Sequence, residues 1–285
     1  MTERYAVITG AGRGLGQRLA SRYWEAGYNL GLVSRSIASA DQTVSELVPA
    51  ESQRCDVFVC DLADPASVEA IVAEIRAKTE QVNVLINNAA IQGPIGPLEH
   101  NDLGDWEQTI RVDLLSPVAL CRGLLSCMVN ATDASIINLS GGGATGPRAN
   151  FSAYASAKAA LVRFSETLAD EVESRGITVN CIAPGAMKTA MLRAVLDGGE
   201  QSSGAREFAV AAKVFEDGGA SMDRVAELAL FLSSPAARAI TGKLISAVWD
   251  RWECWPEHVP ELAGSDLYTL RRIVGRDRGF GWGDR

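Results

Sequence analysis

A glycine-rich turn between an apolar run and a predicted helix constrains the fold of this chain most. Residues 9–16 (Thr-Gly-Ala-Gly-Arg-Gly-Leu-Gly) follow the apolar run at 5–8 and precede a helix predicted over 18–25. Glycines let a backbone approach a ligand closely, and a helix N-terminus presents N–H donors, so such a turn suits a pyrophosphate. Glycines also form plain tight turns, but a strand before and a helix after favour the phosphate-binding interpretation.

Short β-rich runs alternate with helical stretches along the rest of the chain. The predicted strands are 5–8, 29–33, 55–60, 83–86, 135–139, 178–182 and 243–248. The predicted helices include 65–78, 106–128, 154–174 and 223–232. This alternation predicts an α/β fold, a single Rossmann-like, doubly wound parallel sheet with helices on both faces. Ligands of such folds bind at the carboxyl ends of the strands.

Composition and charge narrow the class of protein. The 285 residues are 47% hydrophobic, with a net charge of −8 and a pI near 5.0, which argues against nucleic acid or an anionic membrane as a partner. No apolar run approaches the roughly 18 residues that span a bilayer, and the first strand leaves no room for a signal peptide. We therefore expect a cytoplasmic protein that does not bind membranes.

The cysteines and histidines predict neither a disulfide framework nor a metal site. Six cysteines lie mostly in apolar segments without a Cys-x-x-Cys pair, so reduced, buried thiols are expected. The two histidines, His100 and His258, lie in polar surroundings, which disfavours a histidine triad or a bound metal.

Tyr154 and Lys158 form the candidate catalytic pair. Four residues are about one helical turn, so both side chains lie on one face of the predicted helix. The phenol has an ordinary pKa of about 10, and a nearby ammonium lowers that pKa toward the working range of a general acid or base. Because Tyr-x-x-x-Lys also occurs by chance, the interpretation depends on the glycine turn upstream.

The order of the motifs makes the chain resemble a short-chain dehydrogenase/reductase over roughly residues 4–250. The motifs are the glycine turn, Asp61-Leu62, Asn-Asn-Ala-Ala at 87–90, the Tyr154/Lys158 pair and Pro-Gly-Ala-Met-Lys-Thr at 184–189. By this resemblance Asp61 would bind the adenine amino group, and Asn87 would lie beside the adenosine ribose. Lys158 would bind the nicotinamide ribose, and the loop at 184–189 would contact the carboxamide end.

The resemblance thus implies a dinucleotide site built from several loops. The residues expected to contact the cofactor are Gly10, Arg13, Gly14, Leu15, Gly16, Ser34, Arg35, Asp61, Leu62, Asn87, Ala89, Tyr154, Lys158, Pro184, Gly185, Met187 and Thr189. A helix-cap role is the alternative for Asp61, and a plain turn is the alternative for Pro184-Gly185.

The end of the second predicted strand indicates which dinucleotide binds. An acidic residue there would bind the 2′-hydroxyl of NAD and repel the 2′-phosphate of NADP. The sequence has Ser34 and Arg35 instead, and Arg13 of the glycine turn adds a second cation. Either arginine alone could be a solvated surface charge, but two cations without a carboxylate favour NADP(H).

Gly141 departs from the family pattern, which usually has a serine thirteen residues before the tyrosine to hydrogen-bond the substrate oxygen. Ser140 is one position early, so in an extended segment its side chain would point to the opposite face unless the glycines at 141–143 bulge. Alternatively, backbone N–H groups of 141–143 stabilise that oxygen, or the glycines form only a flexible loop. Ser140 and Gly141 are therefore both candidate catalytic positions.

Asp113 is the second departure, because the family usually has asparagine there. By resemblance, that asparagine helps to bind a water between the lysine and solvent. An aspartate can still accept a hydrogen bond from such a water. If it lies close, it stabilises the Lys158 ammonium and disfavours the Tyr154 phenolate.

The family pattern stops near residue 250, which suggests how the chain is divided. We predict a dehydrogenase domain at 1–250, with a substrate lid at 190–222, and a C-terminal extension at 251–285. Trp249, Trp252, Trp255 and Trp282 lie at or beyond this boundary. Tryptophans suit a lid or an interface, so the extension would pack on the domain or on a neighbouring subunit.

These observations predict an NADP(H)-dependent oxidoreductase that interconverts a secondary alcohol and a ketone of a small molecule. Tyr154 would exchange the proton, and Lys158 would lower its pKa. The resemblance also implies a homo-oligomer, a homotetramer or homodimer, built partly on the helices at 106–128 and 154–174. Two alternatives stay open: a sensor or structural protein with feeble catalysis, which Gly141 and Asp113 favour, and an epimerase that uses bound cofactor.

Overall fold

A seven-stranded parallel sheet forms the centre of the computed structural model, which describes residues 3–50, 52–129, 131 and 133–282. The strands lie in the order β3-β2-β1-β4-β5-β6-β7. Their bounds are β1 Tyr5–Thr9, β2 Asn29–Ser34, β3 Cys55–Val59, β4 Val84–Asn87, β5 Ser135–Leu139, β6 Thr178–Ala183 and β7 Leu244–Ser246. The strand order changes direction at β1 and β4, as in a doubly wound sheet, so the predicted α/β fold is confirmed.

Alternate residues of each strand face two apolar clusters, one on each side of the sheet. In β1, Ala6 and Ile8 belong to the first cluster, whereas Tyr5 and Val7 belong to the second. All residues of β1 are buried, as expected for a parallel strand with both faces covered. The apolar sequence of the strands therefore follows from burial on two sides.

Helices pack on both clusters. They are α1 Gly14–Glu25, α2 Ile37–Glu46, α3 Pro65–Lys78, α4 Leu103–Ile110, α5 Ser116–Met128, α6 Ser152–Val172, α7 Ala190–Asp197, α8 Gly199–Ser203, α9 Ala205–Asp217, α10 Met222–Leu232 and α11 Val259–Leu262. α1 and α10 contribute Leu19 and Leu228 to the first cluster, and α3 and α5 contribute Ile71 and Leu124 to the second.

Several helices differ from the predicted ones for identifiable reasons. α1 begins at Gly14 rather than at residue 18, because the last glycines of the turn already belong to its first turn. The helix predicted over 106–128 contains a π-helical turn, Arg111–Leu115, between α4 and α5. α2 was given no bounds from the sequence, since only Ala40 and Thr43 on it are buried and its apolar periodicity is weak. The Gly-, Ser- and Ala-rich segment 190–222 forms α7, α8 and α9.

The C-terminal extension lies against its own domain. Trp252 and Trp255 are buried in the first apolar cluster, and the ring of Trp255 lies 4.5 Å from that of Tyr268. The Leu244 N–H at the edge of β7 donates to the Tyr268 carbonyl (2.8 Å), and Leu270 N–H donates to Glu166 Oε1 (2.6 Å) on α6. Residues 283–285 of this segment lie outside the described residues.

Neither a membrane span nor a metal cluster is found among the residues that the structure describes. None of the described helices is long and apolar enough to cross a bilayer. Across the same residues, His, Cys, Asp and Glu form no group of three that could hold a metal ion.

We predict that Trp255→Ala lowers the free energy of unfolding by about 3–5 kcal/mol, because it empties a buried site and removes an aromatic ring that contacts Tyr268. Trp249→Ala is the matched control, since Trp249 is 84% exposed whereas Trp255 is 5% exposed. Its effect is expected within about 0.5 kcal/mol. Denaturant titration followed by circular dichroism measures both, and equal losses would contradict the packing of the extension.

Candidate active site

Loops after β1, β4, β5 and β6 meet at the carboxyl edge of the sheet. The strand order changes direction between β1 and β4, which is where a doubly wound sheet opens a crevice for ligands. Tyr154 and Lys158 on α6, Asp113 on the π-helical turn and Gly141 after β5 come together at this edge. The glycine turn after β1 lies along the same edge, next to the loop after β4.

Gly10, Gly12 and Gly16 of the first turn are closely packed, whereas Gly14 has open space around it. A Cβ on Gly16 would overlap the carbonyl oxygen of Gly10, and a Cβ on Gly10 would lie 2.9 Å from the Cα of Ala89. Gly14 has a φ of +57°, and a Cβ there would meet no atom within 4 Å. The turn is thus tightly packed on its inner side and open at Gly14.

The N-terminus of α1 has the features of an anion site. Ser36, Asp64 and Asp102 cap α2, α3 and α4 with side-chain oxygens. At α1, by contrast, Arg13 provides no side-chain cap, and the first turn contains no acidic residue. The N–H groups and the positive end of this helix dipole are therefore not neutralised by a side chain of the cap position or the first turn. Because the Leu15 side chain is buried, a cofactor contact there would come from its backbone.

Asn88 joins the glycine turn to the loop after β4, and the sequence analysis missed this role. Its side-chain nitrogen donates to the carbonyls of Thr9 (2.9 Å) and Gly10 (3.3 Å). In return, Thr9 Oγ1 accepts from the backbone N–H groups of Asn88 and Ala89, both at 3.0 Å. The doubled asparagine at 87–88 was the only sequence signal of these hydrogen bonds between the two loops.

The Asn87 side chain faces the interior, and the place of this residue beside a ribose stays a prediction. Its side chain is 2% exposed and donates to Asn138 Oδ1 at 2.8 Å. Asn138 in turn donates to Ser165 Oγ on α6 (2.7 Å). Any ribose contact of Asn87 would therefore come from its backbone, while its side chain links β4 to β5.

The side chains of Arg13 and Arg35 remain available as cations. Both are exposed, and neither forms an ion pair within the described part of the chain. Ser34 is buried at the end of β2, and its hydroxyl donates to the Ser36 carbonyl (3.1 Å). No carboxylate follows β2 directly, as the sequence indicated.

Asp61 lies in the turn after β3, and the helix-cap alternative for it is wrong. The residue that caps α3 is Asp64, which accepts from Ala66 N–H. Asp61 instead accepts from Ala63 N–H at 2.9 Å through one oxygen, and its side chain is exposed. Leu62 is buried in the second apolar cluster, so its side chain serves packing.

The loop after β6, which begins at Pro184, contacts the segment 190–222, the predicted lid. Gly185 has a φ of +79°, and a Cβ there would lie 2.7 Å from Val248. Met187 forms an antiparallel bridge with Gly219, just after α9. Thr189 caps α7 by accepting from Leu192 N–H at 3.3 Å. The predicted carboxamide-binding loop and the predicted lid are therefore one connected unit.

Tyr154 and Lys158 are both buried on α6, with 7% and 2% of their surfaces exposed. The Lys158 ammonium donates to the Leu139 carbonyl at the end of β5 (3.0 Å). Its nitrogen lies 5.6 Å from the centre of the Tyr154 ring. The pair predicted from the sequence thus has the expected geometry, with the cation held beside the phenol.

The pKa of Tyr154 is raised, a net direction that the opposing effects of Lys158 and Asp113 left undecided in the sequence. Burial of the hydroxyl is the largest cause, because the charged phenolate loses its hydration. Lys158 lowers this pKa as predicted, Asp113 raises it, and Arg148 lowers it. At neutral pH the phenol therefore keeps its proton in this structure.

Asp113 lies close to the pair, so the condition attached to it in the sequence analysis is met. Its side chain is fully buried; Oδ1 accepts from Ile91 N–H at 2.8 Å, and Oδ2 lies 3.5 Å from the Lys158 ammonium. Burial raises the pKa of Asp113, and Lys158 and the Ile91 N–H oppose that rise. The π-helical turn at 111–115 positions this carboxylate, and π turns are frequent at functional sites.

Tyr154 occupies the space in which a side chain at Gly141 would lie. A Cβ on Gly141 would overlap the phenol oxygen and lie 2.9 Å from the ring carbon that bears it. Ser140 is buried, and its hydroxyl has no hydrogen-bond partner among the described residues. The structure therefore places the phenol against the Gly141 backbone and does not pair Ser140 with it.

Arg148 is a further residue of the site that the sequence analysis missed. It lies in the loop between β5 and α6, and its guanidinium carbon lies 5.6 Å from the centre of the Tyr154 ring. No motif marks this position. Its only sequence signal is a cation shortly before the candidate catalytic pair.

Comparison with known proteins assigns the chain to a family. The family model described as short chain dehydrogenase matches residues 4–199. The 3-oxoacyl-(acyl-carrier-protein) reductase FabG of Escherichia coli (strain K12) is 33% identical over 245 residues, which cover 85% of this chain and 94% of that protein. The D-threitol dehydrogenase of Mycolicibacterium smegmatis is 29% identical over 239 residues, covering 84% and 89%.

Solved structures are also similar to this chain in fold. A blue fluorescent protein from a metagenomic library, in complex with NADPH, is 28% identical, with a TM-score of 0.73 and coverage of 85% of this chain and 95% of that one. Levodione reductase is 24% identical, with a TM-score of 0.77 and coverage of 89% and 98%, and supports the fold.

We predict that Gly141→Ala lowers the free energy of unfolding by about 1–3 kcal/mol, because the new methyl group overlaps the buried phenol. Gly146→Ala in the same loop is the matched control, since a Cβ there would meet no atom within 4 Å. Its effect is expected within about 0.5 kcal/mol. Denaturant titration compares the two variants, and a neutral Gly141→Ala would show that Tyr154 does not lie against Gly141.

Proposed function

The chain belongs to the short-chain dehydrogenase family, and we propose that it is an NADP(H)-dependent oxidoreductase that interconverts a secondary alcohol and a ketone. The observation that supports this most is the buried Tyr154–Lys158 pair at the carboxyl edge of a doubly wound sheet. The relatives named above act, by their names, on a 3-oxoacyl group and on a polyol, and both contain this kind of carbon.

The residues present fit a phosphorylated dinucleotide. The uncapped first turn of α1 and the open space at Gly14 suit the pyrophosphate. Arg13 and Arg35, exposed and without ion-pair partners in the described chain, suit the 2′-phosphate of NADP(H). Asp61 keeps an exposed carboxylate for the adenine amino group, and the loop that begins at Pro184 would contact the carboxamide end.

When bound, NADP(H) supplies the hydride-transfer chemistry, and the protein supplies position and protons. Tyr154 donates its proton to the substrate oxygen in reduction and takes it back in oxidation. Because burial keeps the phenol protonated at neutral pH, the resting site is prepared for reduction of a ketone. Lys158, fixed by the Leu139 carbonyl, stabilises the phenolate that remains and would bind the nicotinamide ribose.

The Gly141 loop takes the place of the usual serine in this proposal. A substrate oxygen at the Tyr154 hydroxyl would lie close to the backbone of 141–143, since a Cβ on Gly141 already overlaps that hydroxyl. Backbone N–H groups can stabilise such an oxygen without a side chain. Ser140 is a less suitable substitute, because no hydrogen bond links it to Tyr154 among the described residues.

We further propose that residues 190–222 form the substrate lid and that residues 251–282 stay on their own domain. The lid is supported by the bridge between Met187 and Gly219, and the extension by the burial of Trp255. A homo-oligomer built partly on the helices at 106–128 and 154–174 is supported by the exposed apolar side chain of Leu115 in the first of these segments.

We predict that Tyr154→Phe lowers kcat at least about a hundredfold while the Kd for NADPH changes less than about twofold, because only the proton donor is lost. Tyr268→Phe, which removes a hydroxyl from the extension, is the matched control and should leave both unchanged. A panel of ketones supplies the substrate, and NADPH fluorescence supplies the Kd. A Tyr154→Phe enzyme with most of its activity would refute the role of the phenol.

We also predict that Arg35→Ala weakens NADPH binding by roughly tenfold or more and NADH binding by less than about twofold, because only NADPH carries the 2′-phosphate. Arg272→Ala, an exposed arginine of the extension, controls for the change in net charge. Fluorescence titration of each variant with NADPH and with NADH measures the two affinities. Equal weakening of both would mean that Arg35 does not contact the 2′-phosphate.

A further inference from the structure

Arg148 covers the catalytic tyrosine from the side of the loop between β5 and α6. Its guanidinium carbon lies 3.9 Å above the Phe151 ring and 5.6 Å from the centre of the Tyr154 ring. The Lys158 ammonium lies at the same 5.6 Å from that ring. Two cations therefore lie at similar distances from the centre of the phenol ring.

A lid residue fixes this guanidinium. Glu207 on α9 accepts from Arg148 Nε at 2.8 Å, and only 12% of the arginine side chain and 23% of the glutamate side chain are exposed. A cavity of 290 Å³ lies beside the pair, between residues 147–150 and 203–207. Arg206, the neighbouring arginine on the cavity wall, is exposed.

Arg148 also packs on the glycines that take the place of the family's serine. A Cβ on Gly143 would lie 3.3 Å from the Cβ of Arg148, and one on Gly142 would lie 3.8 Å from its Cδ. The same arginine thus contacts the loop at 141–143 and the side chain of the lid. The position of the Arg148 side chain is therefore fixed both by the glycine loop and by Glu207.

We propose that Arg148 is a positioning residue for Tyr154, supplying a second positive charge beside the phenol from an anchor on the lid helix α9. This inference depends on the proposed function, in which Tyr154 exchanges the proton. Three charged groups face the phenol: Lys158 from α6, Arg148 from the loop before it, and Asp113 from the π-helical turn. Glu207 acts only through Arg148.

The second cation compensates for two features of this site. Asp113 adds a negative charge near the phenol, and Gly141 offers no hydroxyl to it. Lys158 is already shared with the Asp113 carboxylate at 3.5 Å and with the Leu139 carbonyl. A further cation offsets part of the burial that disfavours the phenolate.

The test compares Arg148→Met, which keeps an unbranched stem for packing on Phe151, with Arg206→Met, which removes a charge from the same cavity wall. The pH dependence of kcat/KM for alcohol oxidation, which requires the phenolate, is measured for each. Arg148→Met should move the midpoint to higher pH by about one unit, as expected for loss of a unit charge about 6 Å away. Arg206→Met should leave the midpoint unchanged. Arg148→Lys keeps a positive charge, so its midpoint should lie closer to that of the wild type.

A substrate-independent measurement accompanies the kinetics. Carbon-13 labelling of the tyrosine ring, with Tyr154→Phe to assign the signal, follows the ionisation of Tyr154 directly by NMR. The same upward shift in Arg148→Met is expected there. If Arg148→Met does not fold, Arg148→Gln replaces it in both measurements.

Two outcomes separate this inference from the proposed function. An unmoved midpoint in Arg148→Met, with a change confined to KM, would overturn the inference and make Arg148 a substrate contact. Retained activity in Tyr154→Phe would overturn the proposed function itself, whatever Arg148 does.

Discussion

The buried contact between Lys158 and Asp113 is the constraint on which the arrangement of the active site depends. Both side chains are almost completely withdrawn from water, so each charge requires a partner that the fold must supply. β5 provides the Leu139 carbonyl, the loop after β4 provides the Ile91 N–H, and the π-helical turn brings the carboxylate inward. Strand, loop and helix are thus joined at one point, and Tyr154 stands beside it.

Close packing of the backbone shapes the rest of the crevice. Gly10 and Gly16 allow the first turn to lie against itself and against the loop after β4, where Asn88 joins them. Gly141 allows Tyr154 to approach the loop after β5. In both places the missing side chain is a structural requirement, and in the proposed mechanism its absence at Gly141 also changes which groups reach the substrate oxygen. The site therefore differs from the family pattern through volume as well as through hydrogen bonding.

The sequence predicted the sheet, the glycine turn and the Tyr154–Lys158 pair because each follows from a local pattern. The strand at 135–139 and the helix at 65–78 were predicted at their observed bounds, since apolar periodicity and a proline at the first turn define them. The contacts of Asn87, Asn88 and Arg148 were not predictable, because they depend on which distant loops meet. The net direction of the Tyr154 pKa was not predictable for the same reason, since burial is a property of the whole fold.

The C-terminal extension has a consequence for assembly of the sheet. β7 is an edge strand of the sheet, and the outward N–H of Leu244 on it donates a hydrogen bond to the Tyr268 carbonyl. An open edge strand is a template on which another polypeptide can extend a sheet, with risks that range from wrong pairing to aggregation. By folding its own tail onto β7, the chain satisfies a backbone N–H group to which an added strand would otherwise bind. A partner that approaches this side would meet the tail first.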